Sequence, residues 1–526
     1  MSATEARGEQ GSALRPLVED LHARRDQARL GGGEERIQRQ HEQDKLTARE
    51  RLDLLIDEGT FTELGIHGRP HFSQRAMEGK EAPADGVVTG YGSVEGRAVA
   101  VCAYDFTVMA GSMGMTGELK VTRLRELALS KRIPFIWLLD SAGARIQEAV
   151  GSLFAGSGFL FREEVVMSGV IPQIAALMGP CAAGTAYIPG LADFVPMVKG
   201  RGSMALAGPH LVKAVTGEDV TQEELGGSRV HCRRSSVADL EVDSDEECIE
   251  AIKRYLAFLP SHCEEAPPLR PASDPIRADD DLLDVLPESN RKPYDMYEVV
   301  RRLVDDGEWF HLKPQFARTL ITCLARMGGR PVGIVASQPK QLGGILENDS
   351  ADKAARFVNL CDAFGIPLLF LQDVPGFMVG TKVEQAGIIR HGAKMLYAVS
   401  RATVPKVTVV IRKAYGAGYY VMCGKAYEPA LIVAWPSAEI SVMGAEGAVE
   451  IIFRRQAEKA SDPEAKRAEL VAGIRSTIDP YIAAGNALID DVIDPRETRP
   501  TVIRAFEMAA TKRVERPWRR HGVMPV

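Results

Sequence analysis

Short apolar runs alternate with helical periodicity along most of this chain, and the alternation occurs twice. Residues 98–103, 135–139 and 171–177 are apolar on both faces, as strands of a buried sheet require. Between the first two, residues 119–130 carry apolar positions at helical spacing. The succession returns as strand runs at 332–336, 368–371 and 406–411, with a helical pattern at 352–364. Strand, helix, strand at this spacing predicts βα units and an α/β fold. Upstream, residues 1–13 read as a disordered tail, and 14–39 predict an exposed helix, a turn at the GGG of 31–33, and a second helix. Residues 45–58 predict a third helix with Leu52, Leu55 and Ile56 on one face, Thr47 as N-cap and Gly59 as its stop.

The two copies share one register. Gly96 recurs as Gly329, Gly111 as Gly344, Lys120 as Lys353 and Asp140 as Asp373 at a constant offset of 233. Gly143 recurs as Gly376, Pro172 as Pro405 and Tyr187 as Tyr420 in the same register. This period lies far beyond the roughly 20–50 residues of solenoid arrays, so a whole domain is duplicated. The string LLIDEGTFTEL at 54–64 also resembles RLVDDGEWFHL at 302–312. A proline-rich stretch, EEAPPLRPASDP, followed by ADDDLLD predicts a linker over 264–292, leaving halves at 14–263 and 293–520.

Composition narrows the function. Of 526 residues, 45% are apolar and 26% charged, and the net charge is −7, an ordinary globular balance with no basic footprint for nucleic acid. No apolar stretch is long enough to span a bilayer, and MSATEARGEQ has no apolar signal region, so a cytoplasmic location is expected. Eight cysteines contain no CxxC pair, which predicts reduced, mostly buried thiols and no metal.

There is no phosphate loop of the G-x-x-x-x-G-K-[ST] type, no H-E-x-x-H and no G-x-S-x-G elbow. What recurs is small residues directly after apolar strands: GPCAAGTAY at 179–187 and KAYGAGYY at 413–420. Small residues at a strand-to-helix turn let a ligand approach backbone N–H groups, and paired amides suit an enolate or other oxyanion. A following helix would add its dipole. Asp140 and Asp373 fall at strand ends, where an acid either serves as a base or orders nearby amides, the more frequent use. Gly143 and Gly376 lie just beyond them as pocket-lining candidates. The G-x-x-G-x-x-G of 111–117 is not the dinucleotide fingerprint.

LLDSAGARIQEAV, GPCAAGTAYIPGLADF, QDVPGFMVGTKVEQAGIIRHGAKML and KAYGAGYYVMCGKAYEP resemble the carboxyltransferase (β) subunits of biotin-dependent acyl-CoA carboxylases, and KLTARERLDLLIDEG resembles that family's N-terminal helix. The resemblance covers residues 14–520. It implies two crotonase-like domains, the N-terminal one holding a coenzyme A thioester and the C-terminal one the biotin of a carrier protein, within a homo-hexamer whose active sites combine domains of different protomers. It implies that Ala183 and Gly184 supply amides for the thioester enolate, and that Gly416, Ala417 and Gly418 do so for the biotin ureido oxygen. Gly143, Ala144 and Gly179 fall on the acyl-CoA side, Gly376 and Phe377 on the biotin side. Many members have two glycines where this chain has Ala183-Gly184. Carboxybiotin would supply both the CO₂ and the base. The chain lacks the A/V-M-K-M lysine of a carrier and any nucleotide loop, so a biotin carboxylase/biotin carboxyl carrier α-subunit is expected as partner. Tyr420 stands where propionyl-CoA enzymes carry an acid, which makes it the candidate for acyl selection.

Other readings stay open on the residues. The same transfer could run in reverse, as in a decarboxylase α-subunit or a transcarboxylase, and the methylcrotonyl-CoA type is a further substrate alternative. A crotonase-type hydratase would need a side-chain acid near 179–190, where none falls, and a scaffold subunit would use the glycine turns for packing alone.

Overall fold

A computed structural model describes residues 13–71, 73, 75–272 and 278–525. Nearly all of the expected tail, and residues 273–277 of the expected linker, lie outside the described residues. The chain divides into two compact units, 1–231 with 241–253 and 232–240 with 254–526. Residues 254–263 therefore join the second unit, ahead of the proline-rich stretch expected to mark the boundary. The Tyr255 and Phe258 rings pack on Phe310 at 6.2 and 6.3 Å, and the Arg326 guanidinium donates to the Ala257 carbonyl at 2.6 Å.

Unit 1 is built on eight strands: β1 Thr62–Leu64, β2 Val87–Val94, β3 Arg97–Tyr104, β4 Phe135–Ser141, β5 Gln173–Ala182, β6 Pro196–Val198, β7 Ser203–Ala205 and β8 Leu240–Val242. They run in the order β1-β2-β3-β4-β5-β6-β8, with β7 paired to β5. Unit 2 repeats the plan with β9 Trp309–His311, β10 Leu320–Met327, β11 Arg330–Ser337, β12 Leu368–Val374, β13 Lys406–Tyr415, β14 Leu431–Ala434, β15 Glu439–Ser441 and β16 Asp491–Val492. Its order is β16-β14-β13-β12-β11-β10-β9, with β15 paired to β13. The expected parallel βα core is present: β3, β4 and β5 are parallel, as are β11, β12 and β13. The sheets are mixed, however, because β2 and β10 pair antiparallel to β3 and β11. Sequence periodicity missed β2, whose VVTGYGSV is broken by glycines. A Cβ on Gly90 would stand 2.5 Å from the Thr62 carbonyl oxygen and 2.6 Å from the Phe61 ring, so the close approach of the segment carrying β1 demands glycine there.

The N-terminal helices are Leu14–Arg29, Glu34–His41 and Ala48–Leu55. The third is closed by a capping box between Thr47 and Glu50, which satisfies two first-turn amides.

The duplication reaches single hydrogen bonds. Helix Met115–Lys131 carries Lys120, whose Nζ donates to the carbonyls of Ala84 at 2.7 Å and Val87 at 2.6 Å. Helix Asn348–Ala363 carries Lys353, whose Nζ reaches Ala317 at 3.4 Å and Leu320 at 2.7 Å, the matched residues. Both central strands also bulge at one place, between Leu139 and Ser141 and between Gln372 and Val374. Among the described residues, no helix is long and apolar enough to cross a membrane, and no His/Cys/Asp/Glu cluster could hold a metal ion. Seven of the eight cysteines are buried and Cys263 is exposed.

Candidate active-site turns

Each unit presents a turn where its central strand ends. In unit 1, β5 runs out at Ala182 and a 3-10 turn, Ala183–Ala186, leads into helix Tyr187–Leu191. In unit 2, β13 ends at Tyr415 and helix Gly416–Val421 follows directly. Ala183 adopts φ +55° and Gly416 φ +54°, the same left-handed step out of the strand. The first amides of such a turn have no partner inside it and remain available as donors. Ala183, Gly184 and Ala417 are exposed and Gly416 is half-buried, so the donors are accessible. Helices of five and six residues add little dipole, so the turn amides themselves must carry any charge stabilisation.

The matched pairs are Ala183 with Gly416 and Gly184 with Ala417, which leaves Gly418 opposite Thr185. Both of these are buried. A Cβ on Gly418 would meet Val374 Cγ2 at 2.9 Å and Gly376 Cα at 3.2 Å. Gly418 thus packs tightly on β12, with no room for a side chain. Gly184 has room: its Cβ would find only Phe161 Cζ, at 3.7 Å. The Phe161 ring stands edge-on to Tyr187, with centroids 5.6 Å apart.

The loop after each preceding strand is stitched beside its turn. Gly143, at φ +97°, lies so close to the Ala182 carbonyl oxygen that a Cβ would come within 2.6 Å of it. Met113 N–H donates to the Gly143 carbonyl at 2.9 Å, as Leu346 N–H does to Gly376 at 3.0 Å. Ala144 is exposed next to this contact, and Phe377 packs against Gly392, whose Cβ would be 3.3 Å from the ring. Gly179 does not reach the surface: a Cβ there would fall 1.9 Å from Asp140 Oδ1. It makes room for the buried carboxylate.

Neither strand-end aspartate can act as a base from its position. Asp140 is fully buried and paired with Lys45 at 2.7 Å and Arg51 at 3.1 Å. Asp373 is likewise buried; desolvation raises its pKa while Arg412, 2.9 Å away, opposes the rise, and it accepts the Lys413 N–H at 3.1 Å. Both order the ends of the central strands. The glycines of 111–117 also pack: Gly114 lies against the Arg145 guanidinium, and Gly117 N–H donates to Asp85 at 2.6 Å. Arg145, buried and paired with Asp85 and with Glu148 at 2.7 Å, fixes the loop bearing Gly143 and Ala144. The sequence reading missed this cluster, although the Arg145–Glu148 spacing of three was visible. Tyr420 is exposed, in an aromatic group with Tyr419 at 6.0 Å and Tyr427 at 6.3 Å.

Both units thus end an equivalent strand in an exposed turn of small residues, one site plan used twice in a duplicated α/β enzyme fold. The comparisons with known proteins agree. Residues 39–524 match the carboxyl transferase domain family. The chain is 46% identical to the methylmalonyl-CoA decarboxylase subunit alpha of Veillonella parvula, covering 98% of this chain and 100% of that one. It is also 46% identical to the propionyl-CoA carboxylase beta chain of Roseobacter denitrificans, again over 98% and 100%. A crystal structure of transcarboxylase 12S, a hexamer with methylmalonyl-coenzyme A bound, superposes with a TM-score of 0.95 at 45% identity, covering 98% of this chain and 99% of that one. The chain belongs to the carboxyl transferase family, as a carboxyltransferase of the biotin-dependent carboxylase group.

Proposed function

We propose that this protein transfers a carboxyl group between carboxybiotin on a carrier protein and the α-carbon of a short-chain acyl-CoA, with propionyl-CoA and methylmalonyl-CoA as the pair. The observation that carries this is the repeated left-handed exit at Ala183 and Gly416, at the ends of equivalent strands, with Ala183, Gly184 and Ala417 exposed and Gly416 half-buried. In the acyl half, 14–263, the Ala183 and Gly184 N–H groups would bind the thioester oxygen as loss of the α-proton places negative charge on it. In the biotin half, 293–520, the Gly416 and Ala417 N–H groups would bind the ureido oxygen. Biotin, when bound, supplies the carboxyl group and accepts the proton. One oriented donor of this kind is worth about 10²–10³ in rate. Gly143, Ala144, Gly376 and Phe377 would line the two sites, and Tyr420 would bear on acyl choice.

The relatives named for propionyl-CoA and methylmalonyl-CoA favour this pair over a methylcrotonyl substrate. The decarboxylase relative supports the reverse direction equally. A hexamer like that of transcarboxylase 12S, a biotin carboxylase/biotin carboxyl carrier partner and a cytoplasmic location complete the reading. The test is a panel of acetyl-, propionyl-, butyryl- and methylcrotonyl-CoA assayed with a carboxylated carrier. Propionyl-CoA should give the highest kcat/KM. Transfer to none of them would overturn the proposal.

A further inference from the structure

Unit 1 buries a group of polar atoms that this chemistry does not use. Tyr104 Oη, Glu118 Oε2, Arg125 Nη1, Trp137 Nε1, Gln173 Oε1 and both carboxyl oxygens of Glu164 have no hydrogen-bond partner among the described residues. They gather on one side of the sheet. Cys102, Trp137 and Ala175 are register partners across β3, β4 and β5 and share a face, which Tyr104 and Gln173, two residues along their strands, share too. Helix Met115–Lys131 brings Arg125 to that face, and helix Phe159–Met167 brings Glu164, which is 0% exposed. Gln173 Nε2 donates to the Glu164 backbone carbonyl at 3.1 Å, and the Glu164 carboxyl acts electrostatically on Cys102, Tyr104 and Cys181.

The duplicated half is an internal control. At the positions matching Tyr104, Glu118, Arg125 and Trp137 it carries Ser337, Ala351, Val358 and Phe370. Glu164 and Gln173 match Tyr397 and Lys406, so the fold dispenses with a polar group at the positions of Glu118, Arg125 and Trp137. Unit 1 nevertheless keeps them there, and buried groups of this kind are satisfied by protein or ordered water. The same helix also touches the amide turn. Phe161, one turn before Glu164, supplies the ring that faces Gly184 and Tyr187.

We propose that unit 1 holds ordered water among Glu164, Tyr104, Trp137 and Arg125, and that Glu164 is thereby a positioning residue for the Ala183–Gly184 turn. The positioning role rests on the acyl-thioester reading of that turn; the water site does not. Burial pushes the Glu164 carboxyl up to about 9, against the attraction of Arg125 and with the repulsion of Glu118, so at neutral pH it donates a proton as well as accepting. The groups facing it are Arg125 and Glu118 from helix Met115–Lys131, Cys102 and Tyr104 from β3, and Cys181 from β5. Glu163 holds the Arg125 Nε at 2.5 Å.

A high-resolution crystal structure of the full chain should show water within hydrogen-bond distance of the Glu164 carboxyl and of Trp137 Nε1 or Tyr104 Oη; a dry interior would overturn the proposal. A carboxyl raised in the fold stabilises at low pH and loses that contribution as pH rises. The Tm of wild type minus that of Glu164→Gln should therefore fall between about pH 5 and pH 9 and then level off. A difference independent of pH would contradict a buried protonated group. Glu164→Gln should keep kcat/KM for the acyl-CoA within twofold, whereas Glu164→Leu should lower it at least tenfold with KM for the carrier unchanged. Unaltered kinetics in a folded Glu164→Leu protein would remove the positioning role. Absence of transfer in wild type would refute the functional reading instead, leaving the water and pH tests standing.

Discussion

Ala183 occupies backbone geometry that glycine reaches without cost, at φ +55°, while Gly416 fills the matched position. A left-handed non-glycine residue costs about 1–2 kcal/mol. Ala183→Gly should leave transfer within about threefold and stability unchanged or slightly higher, since strain relief offsets about 0.5–1 kcal/mol of added chain entropy. Gly416→Ala should lower stability by about 1 kcal/mol, as its Cβ would also stand 3.1 Å from the Val442 carbonyl. Paired thermal melts with steady-state rates check both. The motifs GPCAAGTAY and GAGYY located these turns, because small residues after an apolar strand are a visible signal. Which glycine serves a ligand and which serves packing was not visible. Gly418 and Gly179, both expected near ligands, are also pressed on their neighbours, one on Val374 and the other on Asp140. Such contacts come from distant strands and leave no local mark. Gly418→Val should accordingly unfold or destabilise the protein by about 1–3 kcal/mol, as overpacking does, seen as a fall in Tm before any kinetic effect is read.

At the scale of elements, the paired lysines show how the helices are fixed. Lys353 is buried, and desolvation brings its pKa down to about 7, with Lys313 adding repulsion. Between about pH 7 and 10.5 the unfolded chain holds the extra proton, so this group favours the fold at high pH and loses that contribution as pH falls through 7. Lys353→Met leaves the carbonyls of Phe316 and Leu320 without their donor and should cost about 1–3 kcal/mol at pH 9. The wild-type advantage in urea denaturation should shrink at pH 6. Asp140→Asn should cost more, about 3–5 kcal/mol, because Lys45 would stay buried with its paired carboxylate removed, while Arg51 would keep only Asp245, 2.8 Å away. The apolar runs predicted β3, β4, β5 and their repeats, since a buried strand declares itself by composition. The strand β2 escaped, as the glycine that admits the close approach of β1 also breaks its pattern. The strand β10, LITCLARM, has no glycine, and its apolar run is interrupted by Thr322 and Arg326.

At the scale of the whole molecule, the duplication was the feature most legible in the sequence, and it extends to single hydrogen bonds and bulges. Each unit has its own sheet, turn and anchoring pair, so the account assigns one substrate to each. That division makes the two turns separable. The most direct test measures methylmalonyl-CoA decarboxylation with free biotin as acceptor, alongside propionyl-CoA binding, in Gly184→Val and Ala417→Val. Both changes fall at exposed positions, and a Cβ at Gly184 would meet only Phe161 at 3.7 Å, so folding should survive, as circular dichroism and size-exclusion would report. The account predicts that each variant loses about 10²-fold or more in transfer, the scale of an oxyanion donor. Only Gly184→Val should also weaken propionyl-CoA binding, and only Ala417→Val should raise KM for biotin. Full transfer in either folded variant, or equal loss of both substrates in both, would contradict the assignment of one amide turn to each half of the reaction.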